Sequence, residues 1–288
     1  MIVNIALLAD IHGNYEALKA VIEDAKKNNV TEYWLLGDIL MPGPGSENIF
    51  TLLDQLPVTV KIRGNWDDCL LAALDGKLSL NSTDEIYLLR LAQYLENKLP
   101  PQRIKAIREM PLNVQKTING LKITISHHLP TKNWGRELMA TNSTKAFDDL
   151  FLTNDVDIAV FGHIHQQLLR YSSHHQLVIN PGSIGQPYYP RKELRNDLRA
   201  QYAILTIDEQ GYSDILFRKV RYNKEQELLS AATEHLPFLE LYQELLNTGV
   251  NKDKDRPYLQ KIIDDYHYKE EVAKWLSGRH SQLKEKNG

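Results

Sequence analysis

Hydrophobic and polar positions alternate between two rhythms along the chain. Ile2-Ala9 is an apolar run broken only by Asn4, the pattern of a strand buried on both faces of a sheet. It runs into Asp10-Ile11-His12-Gly13-Asn14 and then into a helical pattern, with Asn14 as a cap and Leu18, Val21, Ile22 and Ala25 at helical spacing. Thr31-Leu36 predicts a second strand ending in Gly37-Asp38, and Met41-Pro42-Gly43-Pro44-Gly45 can continue neither regular structure. A helix over Ser46-Gln55 leads to a third strand, Val58-Ile62, which ends in Arg63-Gly64-Asn65-Trp66-Asp67. All three strands therefore finish in polar side chains.

From Asp68 to Pro111 helical spacing takes over. Ser82 and Glu85 stand as a capping box ahead of Leu88, Leu91, Ala92 and Leu95, Pro100-Pro101 closes that helix, and Ile104-Arg108 predicts a short one. The block reads as a helical insertion, a cap over the strand ends. Leu112-Ile118 and Leu121-Ser126 form a hairpin about Asn119-Gly120, and the second of them ends in His127-His128. A helix around Ser143-Leu152, buried through Phe147, Leu150 and Phe151, precedes Val156-Phe161 and then Gly162-His163-Ile164-His165.

Leu168-Tyr171, Gln176-Asn180, Gln201-Ile207 and Ser213-Val220 predict a second, largely antiparallel sheet. From Tyr222 onward the pattern is helical, with Phe238, Leu241, Tyr242 and Leu245 at core spacing and Gly249 as a stop. The expected division is a principal domain over 1–221, carrying the insertion at 68–111, and a helical extension over 222–288 whose last residues, Lys284-Gly288, fray.

Composition narrows the class without naming a partner. In 288 residues, 42% hydrophobic content is enough for a substantial core. A formal charge of -3 gives no strong nucleic-acid signal and no pull toward anionic lipid. Cys69 is the only cysteine, which rules out a disulfide framework or a cysteine-rich zinc site within the chain. The first apolar segment lacks a basic start and passes straight into Asp10, so it reads as a core strand rather than a signal peptide. No run approaches the ~20 apolar residues of a spanning helix. The expectation is a soluble, cytoplasmic protein with no membrane partner.

The strand ends collect Asp10, His12, Asp38, Asn65, His127, His163 and His165. Two carboxylates, an amide oxygen and four imidazoles make a mixed oxygen and nitrogen set that suits two divalent transition ions, with one carboxylate left to bridge them. No thiolate takes part. Five ordered motifs carry a resemblance: Asp10-Ile11-His12-Gly13-Asn14, Gly37-Asp38, Gly64-Asn65-Trp66-Asp67, the His127 strand end and Gly162-His163-Ile164-His165. In these the chain resembles the calcineurin-like metallophosphoesterases. Asn180-Pro181-Gly182-Ser183-Ile184-Gly185-Gln186-Pro187, followed by Arg199-Ala200-Gln201-Tyr202-Ala203, is similar to the later signature of the family's small bacterial and archaeal phosphodiesterase branch, which includes diadenosine polyphosphate and phosphodiester hydrolases. The match covers roughly the first three quarters of the chain.

That resemblance implies an α/β fold: a four-layer α/β/β/α metallophosphoesterase sandwich with a helical insertion and a helical C-terminal extension. It implies that Asp10, His12 and His165 hold one metal, that Asn65, His127 and His163 hold the other, and that Asp38 bridges them. Two ions, Mn2+ or Fe2+/Fe3+ ahead of Zn2+, would then share a hydroxide that attacks phosphorus, with Asp38, Asn65 and His127 as catalytic residues and no Ser or Cys nucleophile. The implied activity is a metal-dependent hydrolase of phosphodiesters or nucleotide polyphosphates acting on a small phosphorylated substrate. Phosphomonoesters or phosphoproteins are the nearest alternative. A non-catalytic scaffold is the alternative outside catalysis, although scaffold relatives lose metal ligands and every ligand position here is filled.

Several positions depart from the family pattern. Relatives commonly carry glycine after the histidine ligand, so spacing leaves open whether His127 or His128 coordinates. His127 is favoured because it follows the strand directly, which leaves His128 facing substrate. Asp67 and Asn14 read as residues that orient ligands, with Asn14 equally a helix cap. Trp66 stands where many relatives have a proton-donating histidine, and an indole cannot transfer that proton. It either packs under the insertion or stacks on a nucleobase. Finally, Tyr188-Arg195 reads as an inserted stretch. Arg191, Lys192, Arg195 and Arg199, within nine residues, either embrace a polyphosphate or sit solvated and paired with Glu193 and Asp197.

Overall fold

A computed structural model describes residues 2–286. In chain order its elements are β1 (Val3–Leu8), α1 (Tyr15–Lys27), β2 (Glu32–Leu35), α2 (Glu47–Leu53), β3 (Val58–Lys61), α3 (Asn65–Leu74), α4 (Thr83–Glu96) and α5 (Pro101–Glu109). There follow β4 (Asn113–Ile118), β5 (Leu121–Ser126), β6 (Ile158–Phe161), β7 (Gln167–Tyr171), β8 (Leu177–Pro181), β9 (Ala200–Asp208) and β10 (Gly211–Val220), then α6 (Lys224–Thr233), α7 (Leu239–Thr248), α8 (Arg256–Asp265) and α9 (Tyr268–Lys286). Of the terminal residues expected to fray, Asn287 and Gly288 lie outside the described residues.

The strands form two five-stranded sheets, ordered β10-β9-β1-β2-β3 and β4-β5-β6-β8-β7. Residues alternate strictly between their two faces, which is why β1 is apolar on both from Ile5 to Leu8. Ile5 and Leu7 face the space between the sheets, where they meet Ile123, Ile125, Val160 and Ile179. Ala6 and Leu8 face the opposite way, into a helical core with Leu18, Val21 and Ile22 of α1. On the outer face of the second sheet Ala159 and Phe161 pack on Phe147 and Leu150, which belong to a 3-10 helix over Thr144–Leu150. Helices, sheet, sheet and a thin helical cover make the four-layer α/β/β/α order.

One topological expectation is corrected. The four late strands do not build a sheet of their own. β7 and β8 complete the second sheet, whereas β9 runs antiparallel along β1, with Val3 opposite Ile207 and Leu7 opposite Ala203, and β10 follows it at the edge. β9 is buried on both faces: Ala203, Leu205 and Ile207 enter the inter-sheet core, while Tyr202 and Ile204 enter the helical one. Alternation shows that a strand is buried. It does not show which edge completes its hydrogen bonds.

Helical detail also shifts. Ser82 accepts the backbone N–H of Glu85 at 3.2 Å as a cap should, but the Glu85 carboxylate turns to the Ser79 hydroxyl at 2.6 Å, so only half of the capping box forms. Asn65 is the first residue of α3, so helix begins three residues before the expected edge of the insertion. The insertion shares its core with the chain's end. Leu89 and Leu95 join one cluster with Leu259, Ile263 and Val272, the Trp275 indole donates to Glu96 at 2.6 Å, and Arg90 pairs with Glu271 at 3.0 Å. Among the described residues no helix is long and apolar enough to cross a membrane.

Candidate metal centre

The seven strand-end residues converge at one end of the sandwich. Asp10 and His12 follow β1, Asp38 follows β2, Asn65 opens α3 after β3, His127 follows β5, and His163 and His165 follow β6. Asp10, His12, Asp38 and His165 each present one donor atom within 4.8 Å of the others. His12 Nε2 lies 3.2 Å from His165 Nε2 and 3.7 Å from Asp38 Oδ2. His127 Nε2 lies 3.4 Å from Asp38 Oδ2 and 3.1 Å from Asn65 Oδ1, which is also 2.8 Å from His163 Nδ1. Asp38 thus stands between a group containing Asp10, His12 and His165 and one containing Asn65, His127 and His163.

The backbone is bent to achieve this. Asp10, His12, Asp38, His163 and His165 all have φ between 51° and 69°, a left-handed conformation uncommon for residues with a side chain and concentrated at functional sites. Close approach does the rest. A Cβ on Gly64 would fall 2.1 Å from Asp38 Oδ1, and one on Gly37 would fall 2.5 Å from the Gly64 nitrogen.

Each imidazole is oriented by a backbone carbonyl, which can only accept. His12 Nδ1 donates to Met41 O at 2.6 Å, His127 Nδ1 to Leu36 O at 2.6 Å and His165 Nδ1 to Gln186 O at 2.7 Å. Each ring therefore turns its Nε2 inward. His163 is reversed: its Nε2 donates to Gly135 O at 3.0 Å and its Nδ1 faces Asn65. A hydrogen bond at the outer nitrogen that leaves the inner lone pair free is the arrangement metal-ligating histidines adopt.

The electrostatics point the same way. Burial pushes His12 and His163 down to about 4, so both rings are neutral donors at pH 7. At His127 burial opposes the charge, yet Asp38 and Asp10 override it and lift the ring to about 10; Asp10 likewise raises His165 against its burial. Asp10 and Asp38, despite full burial, are held below the usual carboxylate range by these histidines. The pair of carboxylates thus calls for positive charge at the inward-facing nitrogens. Asp10 Oδ1 is buried and faces His165 Nε2 at 3.2 Å without a well-formed hydrogen bond, a cost that a cation would remove. The residues present fit a divalent metal site.

Supporting contacts explain the other signature residues. Asp67 accepts three backbone N–H groups, from Asp38 at 3.0 Å, Ile39 at 3.2 Å and Gly64 at 2.9 Å, and burial next to Asp38 pushes its carboxyl up to about 7. Asn14 is a helix cap, its Oδ1 accepting Ala17 N–H at 3.0 Å, while its Nδ2 donates to the Tyr222 hydroxyl at 3.3 Å rather than to a candidate ligand. The Asn180-Ser183 stretch ties strand ends together. Asn180 donates to Gly162 O at 2.6 Å and the Ser183 hydroxyl to Asp10 O at 2.8 Å. The carbonyls of Leu36, Met41, Gly135 and Gln186 had no sequence signal, since every residue carries one.

The open positions separate clearly. His128 is not among the inward-facing rings: its Nε2 lies 3.0 Å from Glu137 Oε2, its Nδ1 is buried without a partner, and its ring packs against His163 at 4.7 Å. Trp66 donates its backbone N–H to Asp38 Oδ1 at 2.8 Å, and its half-buried ring sits edge-on to His12 at 5.6 Å and to Tyr87 of α4 at 6.3 Å. The basic stretch is divided. Arg199 is clamped to Asp197 at 2.7 and 2.9 Å and Arg195 donates to the carbonyls of Tyr189 and Pro190, while Arg191 and Lys192 are exposed.

Comparison with known proteins places this geometry. Residues 3–210 match the family model described as the calcineurin-like phosphoesterase superfamily domain. An uncharacterized protein of Methanocaldococcus jannaschii is 29% identical over 198 residues, 64% of this chain and 76% of that one. A protein of Salmonella arizonae named bis(5'-nucleosyl)-tetraphosphatase, symmetrical, is 29% identical over 130 residues, and the match spans 44% of each chain. Among solved structures, a metallophosphoesterase from Sphaerobacter thermophilus aligns with a TM-score of 0.65 at 24% identity over 86% of this chain and 100% of that one. A hypothetical protein from Pyrococcus horikoshii aligns with a TM-score of 0.68 at 22% identity over 86% and 99%. Both share the fold.

Proposed function

The chain belongs to the calcineurin-like phosphoesterase superfamily, and from that premise we propose that its strand-end cluster is a two-metal centre that hydrolyses phosphodiesters or nucleotide polyphosphates. Asp10, His12 and His165 would hold one divalent ion, Asn65, His127 and His163 the other, and Asp38 would be shared. Two such ions supply Lewis acidity at the phosphoryl oxygens and an activated water at neutral pH. The observation that carries the reading is the inward set of imidazole nitrogens around the buried Asp10 and Asp38 carboxylates.

The chain's own residues supply orientation and charge balance. Neutral His12 and His163 add ligand strength without negative charge, which would repel a phosphate. Asp67 and the Trp66 backbone N–H fix Asp38 from either side. Because Trp66 cannot deliver a proton, the site favours leaving groups that depart as stable anions, such as a phosphate of a polyphosphate chain or an aryl oxide. The similarity to tetraphosphatases supports the polyphosphate side of this choice.

Metal analysis together with a hydrolysis panel tests the reading. The purified chain reconstituted with Mn2+, Fe2+ or Zn2+ should retain about two ions. It should also cleave an aryl phosphodiester and a nucleotide polyphosphate faster than an aryl monoester. A chain that keeps no metal and hydrolyses nothing ends the proposal, and preference for the monoester redirects it to a phosphomonoesterase.

A further inference from the structure

A large open cleft, about 1030 Å³, lies beside the proposed catalytic end, and its charge differs from that of the chain as a whole. One wall is the Lys192–Arg199 segment, and the other is made by Arg221, Tyr222 and Lys224 with Asn247 and Thr248 at the end of α7. Lysine and arginine contribute Lys192, Arg195, Arg199, Arg221 and Lys224, against the carboxylates Glu193 and Asp197. Those two do not neutralise the cleft. Asp197 is taken up by Arg199 and by Lys219 at 3.0 Å, whereas Arg195 is held only by neutral carbonyls. Among the described residues neither Arg221 nor Lys224 has an ion-pair partner, and partial burial holds the Lys224 ammonium below its ordinary range.

The cleft neighbours a cavity at the candidate metal centre through shared wall residues. A narrow seam shares Leu198 and Tyr222 with it and continues past Gln186, Pro187, Leu245 and Gly249. Those four residues also line a cavity of about 230 Å³ bounded by His163 and His165. The seam is tight where a Cβ on Gly249 would reach 2.7 Å from Leu198 Cδ2. The same segment orients the centre, since Gln186 O takes the His165 Nδ1 proton and Tyr188 N–H donates to His165 O at 3.0 Å.

We propose that this cleft receives a second phosphate of the substrate while the first lies at the Asp10 and Asp38 cluster, so that the substrate class is an extended molecule with two or more phosphates rather than a compact monoester. The inference rests on the phosphoesterase reading and deepens it. It also moves the anion-binding role from the 191–199 stretch alone to cations contributed by two walls, with Arg221 and Lys224 as the pair not satisfied within the fold. Phosphate is the ligand that such a set of separated, unneutralised cations binds best.

Two readouts on the full chain test it. Calorimetric titration with imidodiphosphate, whose P–N–P link resists hydrolysis, reads the cleft without turnover. The KM for ATP set against that for an aryl phosphodiester reads it during turnover. Arg221→Ala with Lys224→Ala should weaken imidodiphosphate at least about tenfold and raise the KM for ATP at least about tenfold more than that for the aryl ester. The charge-conserving pair Arg221→Lys with Lys224→Arg should restore most of both. Equal imidodiphosphate affinity in parent and alanine variant, or a parallel rise in the two KM values, overturns the proposal. Should neither ester turn over with any metal, the phosphoesterase reading falls, and the titration still decides the anion site by the same criterion.

Discussion

The Asp67 carboxylate, in the first turn of α3, accepts the backbone N–H of Asp38, which lies 29 positions earlier in the chain, at 3.0 Å. It also takes the N–H groups of Ile39 and Gly64, so one buried side chain joins the ends of β2 and β3 and sets where the Asp38 carboxylate can lie. Asp67→Asn places an amide N–H2 against backbone donors. The expected result is a 10–100-fold loss of metal affinity with the fold retained, read by metal titration alongside circular dichroism. Parent-like affinity would show that Asp38 does not need this support.

Asp38→Asn and His165→Ala remove candidate ligands from the centre. Each should cut turnover by orders of magnitude and lower the bound metal, while the thermal transition stays cooperative. A chelator should abolish activity in the parent and added metal should restore it. Near-normal rates in either variant would refute the ligand assignment.

Gly64→Ala tests the close approach of strands at the site. The added methyl would meet Asp38 Oδ1 at 2.1 Å, too near for a small adjustment. Displacement of the carboxylate should reduce metal binding, with destabilisation of about 1–3 kcal/mol in urea unfolding. Unaltered metal content and midpoint would mean that Asp38 has freedom the geometry denies it.

Glu227 supplies a pH-dependent stability test away from the centre. It is buried, accepts Glu16 N–H at 3.0 Å and the Tyr242 hydroxyl at 2.9 Å, and burial pushes its carboxyl up to about 7 from 4.5. The folded chain therefore holds this proton more tightly than the unfolded one. Its stabilising contribution is complete below about 4.5 and is lost as pH rises through about 7. A shift of that size corresponds to roughly 3 kcal/mol. Glu227→Gln should be more stable than the parent at pH 8, with the gap closing at pH 5. A gap independent of pH would remove Glu227 from the account.

The primary structure determined a good deal about this protein. Apolar runs of strand length each ended in polar motifs, and the order of those motifs picked out the seven residues that the fold gathers, because polar side chains that meet at one end of a sheet must sit where a buried strand meets its loop. It also marked Trp66 as a position without proton-transfer chemistry. Three things were decided only by tertiary structure. β9 chose β1 as its neighbour because pairing partners are set by which edges remain open, which alternation does not encode. His127 rather than His128 turned inward because the carbonyl of Leu36 waits for its Nδ1, while His128 meets Glu137 on the other side of His163. The basic stretch lost Arg199 to Asp197 and gained Arg221 and Lys224 across a cleft, a regrouping that depends on how a loop and two helices meet in space and leaves no spacing in the chain to read.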